Sequence, residues 1–364
     1  MKLALLTNII APYRIPIYRR LSEEFDLLIL YSGTEDNRDD WDKNLANEIN
    51  ARIKSSFGFT IKRKIKKDES VFDFNYTHIN PGLLIDLFKF QPDRIITNEL
   101  GFRTIVSLFY GYLMSIPVWV WWGGTLHTER SVGVLKKIIR KLLSKVINHW
   151  ISYGETSTEY LLSIGAQRKD ILQIQNCVDD QLFSEQVEPA LSIKPKPVLL
   201  FVGQLIERKG LKHFLDVAES LQKEGYDFSI LIVGNGLLNK YKDLANTLEL
   251  ENIDFLGSVD HKEMPSIYKS TDLLVFPTLE DVWGLVVNEA ILAGIPVLSS
   301  IYAGCTKELV PKEMRFDPIN KKNFFETLKS WLDNHNSKRS RAEPLMGIDI
   351  VSKLLINDLQ KEFT

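Results

Sequence analysis

Short, almost wholly apolar runs alternate with helix-period segments along nearly all of the chain, and this alternation limits the fold more than any other feature. In the first half the runs are 3–7, 27–31, 94–97, 118–122, 150–153 and 171–175. In the second half they are 198–202, 228–233, 253–256, 273–276 and 297–299. Strands that read as continuous apolar runs, separated by helices, belong to parallel sheets covered on both faces. Two such sets predict an α/β protein with two doubly wound, Rossmann-like parallel-sheet domains. Between them the chain turns polar and reaches Lys194-Pro195-Lys196-Pro197, which predicts a linker over 180–196. The expected division is a first domain over 1–180, a second over 197–345, and a last helix within 346–364 that is free to cross back to the first.

Composition narrows the classes further. The 364 residues are 45% apolar and 25% charged, which excludes a disordered, collagenous or disulfide-stapled chain. With 45 Lys and Arg against 47 Asp and Glu the formal charge is −2, so no nucleic-acid partner is expected. Cys177 and Cys305 form neither a disulfide framework nor a metal spacing; small buried apolar roles and a reducing, cytoplasmic setting fit better. The run Leu3-Ala4-Leu5-Leu6 is too short for the core of a secretion signal. From Thr104 to Leu126, 23 residues carry no charged side chain, enough to span a bilayer, but Gly111 and Pro117 interrupt them. A helix over 102–114 and a strand over 117–122 account for that stretch without lipid.

Three segments of the second half join a strand end to a glycine turn and a helix start. The first is Gly203-Gln204-Leu205-Ile206-Glu207-Arg208-Lys209-Gly210, either a solvated basic turn or a cradle for an anion. The second, Gly234-Asn235-Gly236, is also ordinary turn chemistry. The third runs from Pro277 through Glu280, Asp281 and Gly284 into a helix from about Leu285 that contains Glu289. Ligands of such sheets sit beyond the carboxyl ends of the strands, so Asp281 and Glu289 are candidates for accepting hydrogen bonds from sugar hydroxyls on either side of a diphosphate. The simpler reading is acids answering a helix dipole.

In order and spacing these segments, with Gly294-Ile295-Pro296-Val297, resemble the donor domain of glycosyltransferase family 4, retaining enzymes of the GT-B fold, over about 198–310. Ala11-Pro12-Tyr13-Arg14 and Ile151-Ser152-Tyr153-Gly154-Glu155 extend the resemblance more loosely into the first half. It implies two domains facing a cleft, with a nucleoside-diphosphate sugar on the second and a glycan or lipid-linked acceptor on the first. By the resemblance Lys209 binds the diphosphate with Arg208, Asp281 touches the donor sugar and Glu289 holds the ribose hydroxyls. Gly203, Gln204, Gly234 and Asn235 border the donor, and backbone N–H groups at Gly284, Leu285 and Val286 hold phosphate or sugar. Gln204 stands where the family usually has arginine, leaving Arg208 to compensate, and Asp281 stands for a glutamate. His127, past a strand end, is a candidate beside the reacting sugar, and Asn8, Arg14 and Glu99 are candidates for the acceptor. The resemblance implies hexosyl or N-acetylhexosaminyl transfer without a cofactor or metal, for surface polysaccharide or glycoconjugate synthesis. A non-catalytic binding subunit or a GT-B sugar-nucleotide epimerase would carry the same motifs.

Two basic segments suggest a peripheral contact with anionic lipid at the inner face of a membrane. Arg52–Lys67 holds seven Lys and Arg and no acid, interleaved with apolar residues. Residues 134–147 separate into an apolar face and a basic face with Lys136, Lys137, Arg140, Lys141 and Lys145. A helix packed on a sheet gives the same pattern. Asp40-Trp41-Asp42, the sole Asp-x-Asp, lies in a charged stretch with Asp36 and Asp39 and reads as solvated loop rather than metal site.

Overall fold

The computed structural model describes residues 1–33, 49–67, 70–334 and 345–361. Asp36, Asp39 and Asp40-Trp41-Asp42 lie outside the described residues. The chain divides into two compact units: Met1–Arg63, Phe74–Val178 and Met346–Thr364 form one, and Lys64–Asp73 with Asp179–Leu345 the other.

The first unit begins β1 (Lys2–Thr7), α1 (Ile15–Glu24), β2 (Asp26–Tyr31) and β3 (Arg52–Ser55). β4 (Phe59–Lys67) and β5 (Ser70–Ile79) pair only with each other. There follow α2 (Gly82–Phe90), β6 (Arg94–Asn98), α3 (Phe102–Met114), β7 (Val118–Trp122), α4 (Val134–Leu143), β8 (Trp150–Tyr153), α5 (Gly154–Ser163) and β9 (Ile171–Ile174). The sheet runs β3-β2-β1-β6-β7-β8-β9, parallel throughout. Its order reverses between β1 and β6, so the loops after those two strands diverge at that edge. Leu3, Leu5, Ile96, Trp119, Trp121 and Ile151 bury one face; Ala4, Leu6, Ile95, Val118, Val120 and Trp122 bury the other, as the two-residue period of a strand requires.

The second unit continues α6 (Asp180–Ser184), β10 (Val198–Val202), α7 (Leu211–Lys223), β11 (Ser229–Val233), α8 (Leu238–Thr247), β12 (Ile253–Gly257), α9 (Met264–Lys269) and β13 (Leu273–Phe276). It ends α10 (Leu285–Leu292), β14 (Val297–Ser300), α11 (Thr306–Leu309), β15 (Arg315–Phe316) and α12 (Lys321–Asn334). Its sheet runs β12-β11-β10-β13-β14-β15, again parallel, and reverses between β10 and β13. The last helix, α13 (Ile348–Leu359), returns to the first unit, where Val351, Leu355 and Leu359 join the core beside α1. The Trp119 indole N–H donates to Asp358 at 2.8 Å and Arg20 pairs with Asp349 at 2.8 Å.

Two expectations are corrected. The start of the anticipated linker is not extended: Asp179 caps α6 by accepting from the Leu182 N–H at 3.2 Å, and Phe183 is fully buried against His261 and Tyr268. The basic face of α4 also loses a member. Arg140 is 3% exposed, lies 4.8 Å above the Trp122 ring, donates to the Tyr160 hydroxyl at 2.6 Å and pairs with Glu129. A guanidinium with a carboxylate and two aromatic faces is better placed inside than an unpaired ammonium would be. No helix among the described residues is long and apolar enough to cross a membrane; the uncharged stretch is the end-to-end join of α3 and β7.

Candidate functional site

The site is built around the reversal point of the second sheet. Beyond the ends of β10 and β11 the backbones stay paired, through Gly203 N–H to Val233 O at 3.0 Å and Leu205 N–H to Asn235 O at 2.7 Å. This brings the Gly203–Gln204 and Gly234–Asn235 turns side by side. A Cβ on Gly234, whose φ is +140°, would lie 1.8 Å from the Gly203 carbonyl oxygen, so the two turns touch backbone to backbone.

From the other side of the reversal comes the loop between β13 and α10. The ring of Phe276, the last residue of β13, organises it. The Lys209 ammonium is 5.8 Å from the ring centroid, and a Cβ on Gly284 would meet the ring at 2.6 Å. Lys209 Nζ donates to Asp281 Oδ2 at 2.6 Å, and Asp281 Oδ1 accepts from the Trp283 N–H at 3.2 Å. Arg208 Nη1 donates to the Glu280 carbonyl at 2.8 Å. Lys209 and Gly284 thus meet at one ring, Asp281 joins them through Lys209, and Arg208 holds the same loop at Glu280. Gly284 (φ +108°) caps α10, whose first N–H groups, at Leu285 and Val286, have no acceptor within the helix itself. Glu289 follows one turn on, buried, with Oε2 accepting from the Tyr268 hydroxyl at 2.7 Å.

The two carboxyls are tuned in opposite senses. Burial alone would raise Asp281, but Lys209, Arg208 and the Trp283 N–H outweigh it and hold the group below the ordinary aspartate value. Burial wins at Glu289 and raises it, with His261 and the Tyr268 hydroxyl opposing. A depressed carboxyl lends stability above its unfolded pKa and loses it as pH falls through the folded one. Unit stability should therefore drop on acidification below the ordinary aspartate range, and Asp281→Asn should flatten that part of the profile. Urea midpoints measured from neutral pH downward test this; identical profiles for the two proteins would show that the pair contributes nothing.

Sequence reasoning passed over Tyr268, whose short helix gave no signal, and the backbone after β14. Gly304 N–H donates to the Asp281 carbonyl at 3.1 Å and Cys305 N–H to that of Trp283 at 3.1 Å, fixing the acidic loop from beneath.

The first-unit candidates lie at its own reversal point and on the loop after β7. The Asn8 carbonyl, just past β1, accepts from the N–H groups of Ser32 and Gly33. Glu99, just past β6 at φ +69°, pairs with the buried Arg103 at 2.9 Å. His127 sits in the loop after β7, where its carbonyl accepts from Arg130. Arg14 is turned inward: its guanidinium lies 3.9 Å from the Trp121 ring and 5.0 Å from that of Tyr153. Arg14 Nη1, Trp121 Nε1 and Asn98 Oδ1 are buried there without a protein hydrogen-bond partner. Neither Trp121 nor Asn98 stood out in the sequence. Among the described residues no group of three or more His, Cys, Asp or Glu is arranged to hold a metal ion.

Residues 183–344 match the family model described as glycosyl transferases group 1. That match lies within the second unit. Two proteins to which the chain is similar are the sulfoquinovosyl transferase SQD2 of Arabidopsis thaliana and the lipopolysaccharide glucosyltransferase WaaG of Escherichia coli. SQD2 is 24% identical over 65% of this chain and 48% of its own length, and WaaG 27% identical over 34% and 36%. The chain spans between 28% and 48% of the length of the first curated relatives it matches. The whole chain superposes on Anabaena HepE, solved with UDP and glucose, with a TM-score of 0.71, 14% identity and 100% of both chains covered. That likeness establishes the GT-B fold, two Rossmann-like units in one chain.

Proposed function

We propose that this chain is a retaining glycosyltransferase of the family 4 type, moving a hexosyl or N-acetylhexosaminyl group from a nucleoside-diphosphate sugar to a glycan or lipid-linked acceptor. The observation that carries the reading is the Lys209–Asp281 pair beside the Gly284 cap of α10. A departing diphosphate gains negative charge as the glycosidic bond breaks. Lys209, Arg208 and the first N–H groups of α10 are fixed donors for that charge, so the reading calls for no metal or cofactor. Asp281 keeps Lys209 aimed and lies next to the donor sugar; Gly203, Gln204, Gly234 and Asn235 border the nucleotide. A UDP-sugar is the first donor to try, since HepE was solved with UDP. The acceptor binds the first unit near Asn8, Arg14 and Glu99. The unpartnered Arg14 and Trp121 donors and the Asn98 acceptor suit a polyhydroxylated ligand, and His127 lies beside the reacting sugar. Surface polysaccharide or glycoconjugate synthesis at the inner face of a membrane is the setting, in keeping with the named activity of WaaG.

The test is time-resolved release of nucleoside diphosphate from a panel of UDP- and GDP-sugars, with product anomers read by NMR. Transfer with retention is expected. Donor binding without turnover on any acceptor or water would support the binding-subunit alternative, and conversion of donor alone an epimerase. Glu289→Gln should weaken donor binding about 5- to 30-fold, the loss of one charge-assisted hydrogen bond of ~1–2 kcal/mol, with the fold retained. Equal affinities by calorimetry would remove Glu289 from the ribose.

A further inference from the structure

We propose that the first unit docks on an anionic lipid bilayer through one continuous face formed by α2, α3 and α4. The proposal deepens the membrane setting of the functional reading by naming the surface, and it rests on that reading only for its purpose.

All three helices cover the same side of the sheet. α2 supplies Leu83 and Leu87 to the core beneath, α3 supplies Tyr110, and Leu108 of α3 packs both there and in the neighbouring cluster that holds Leu143 of α4. Phe88 of α2 meets Tyr110 edge to face at 5.0 Å. Two of these helices are inside out. A helix on a sheet normally buries its apolar stripe and shows its polar one. On α3 the buried residues are Arg103, Thr104, Ser107, Tyr110 and Gly111. The outward stripe is Ile105, Phe109, Tyr112 and Leu113, at the spacing of one helical face, with Phe109 55% and Tyr112 88% exposed. On α4 the one buried residue is Arg140, while Val134, Leu135, Ile138 and Leu142 face outward, Leu135 at 72%. Ile85 and Phe88 continue the face onto α2. Burying apolar area of this extent is favourable wherever a partner is apolar, and a contiguous patch of this kind marks an interaction surface.

Charge selects the partner. Across α2, α3 and α4 the sole carboxylate is Asp86, which is buried and paired with Lys54 at 2.5 Å. The exposed charges are Lys89, Lys136, Lys137 and Lys141, with Lys145 just beyond α4. An apolar face flanked by ammonium groups on α2 and α4 suits acyl chains beneath anionic head groups. A second copy of the same face would oppose lysine to lysine.

Vesicle flotation tests the assignment, with phosphatidylcholine vesicles alone or containing phosphatidylglycerol. The wild type should float with the anionic vesicles at low salt. Replacing Lys136, Lys137, Lys141 and Lys145 together by Gln should weaken partitioning by about fivefold per lysine. Replacing Phe109, Tyr112, Leu135 and Ile138 by Ser should abolish it without changing net charge. All eight side chains are exposed, so thermal midpoints and turnover on a soluble acceptor should stay at wild-type values; loss of that turnover in the wild type would count against the enzymatic reading alone. No flotation of the wild type, equal flotation with neutral vesicles, or flotation indifferent to the Ser set would each overturn the proposal. So would concentration-dependent dimerisation, seen by ultracentrifugation and removed by the Ser set, in a protein that does not float.

Discussion

Lys209→Ala should lower turnover by about two to three orders of magnitude while leaving the protein folded. The size follows from the role proposed for Lys209, a fixed cation where the leaving diphosphate would accumulate charge; removing one such donor costs ~3–4 kcal/mol of transition-state stabilisation. Fold retention follows from its place, at the rim of a loop rather than in the core. The substitution strands Asp281, which keeps the Trp283 N–H but loses its ion-pair partner at 2.6 Å. The double variant Lys209→Ala with Asp281→Asn separates the two effects. It should recover any lost stability and none of the lost turnover. Lys209→Arg should retain part of the rate, because the charge survives. Turnover of Lys209→Ala within a few-fold of wild type would assign the diphosphate to Arg208 or another group.

Gly234→Ala should be the most damaging single-methyl change in the second unit. Its Cβ would sit 1.8 Å from the Gly203 carbonyl oxygen, at a φ of +140° that L-residues rarely adopt. Neither backbone can retreat without breaking the Gly203 N–H bond to Val233 or the Gly234 N–H bond to Gly257 at 2.7 Å. A loss of ~4 kcal/mol or more is expected, from a clash and a broken hydrogen bond together. Gly225→Ala is the control. It has φ +92° but nothing within 4 Å of the added methyl, so only the conformational cost of ~1–2 kcal/mol remains. Chemical denaturation of the two variants measures the contrast. Equal losses would mean that the turns can separate freely.

The sheets were readable because parallel strands buried on both faces leave unbroken apolar runs, and β7 and β13 carry nothing else. β4 was not readable for the converse reason: Phe59–Lys67 alternates lysine and arginine with single apolar residues and pairs only with β5. β15 is two residues long, too short for any period. At the site, strand ends and glycines were local signals, so Gly203, Gly234 and Gly284 could be found from sequence. The ion pair of Lys209 with Asp281 joins residues 72 apart, and the placement of Tyr268 against Glu289 depends on how α9 packs on α10. No spacing rule carries either. The two faces of α4 were equally plain, but periodicity states that faces differ, not which one turns inward. That was decided by Arg140, whose partners Glu129 and Tyr160 come from separate segments.

The anchoring of α4 has a consequence for how such a chain can change. Apart from Arg140, the helix gives little of itself to the interior. Substitutions along its outer stripe are therefore nearly neutral for folding, while the abutting turns at Gly203 and Gly234 tolerate almost none. The surface proposed to meet the membrane and the site proposed to carry the chemistry are held by different residues under different constraints. One can drift, or be redesigned, at a rate set by what it touches outside the molecule, and the other only as fast as two abutting backbones allow.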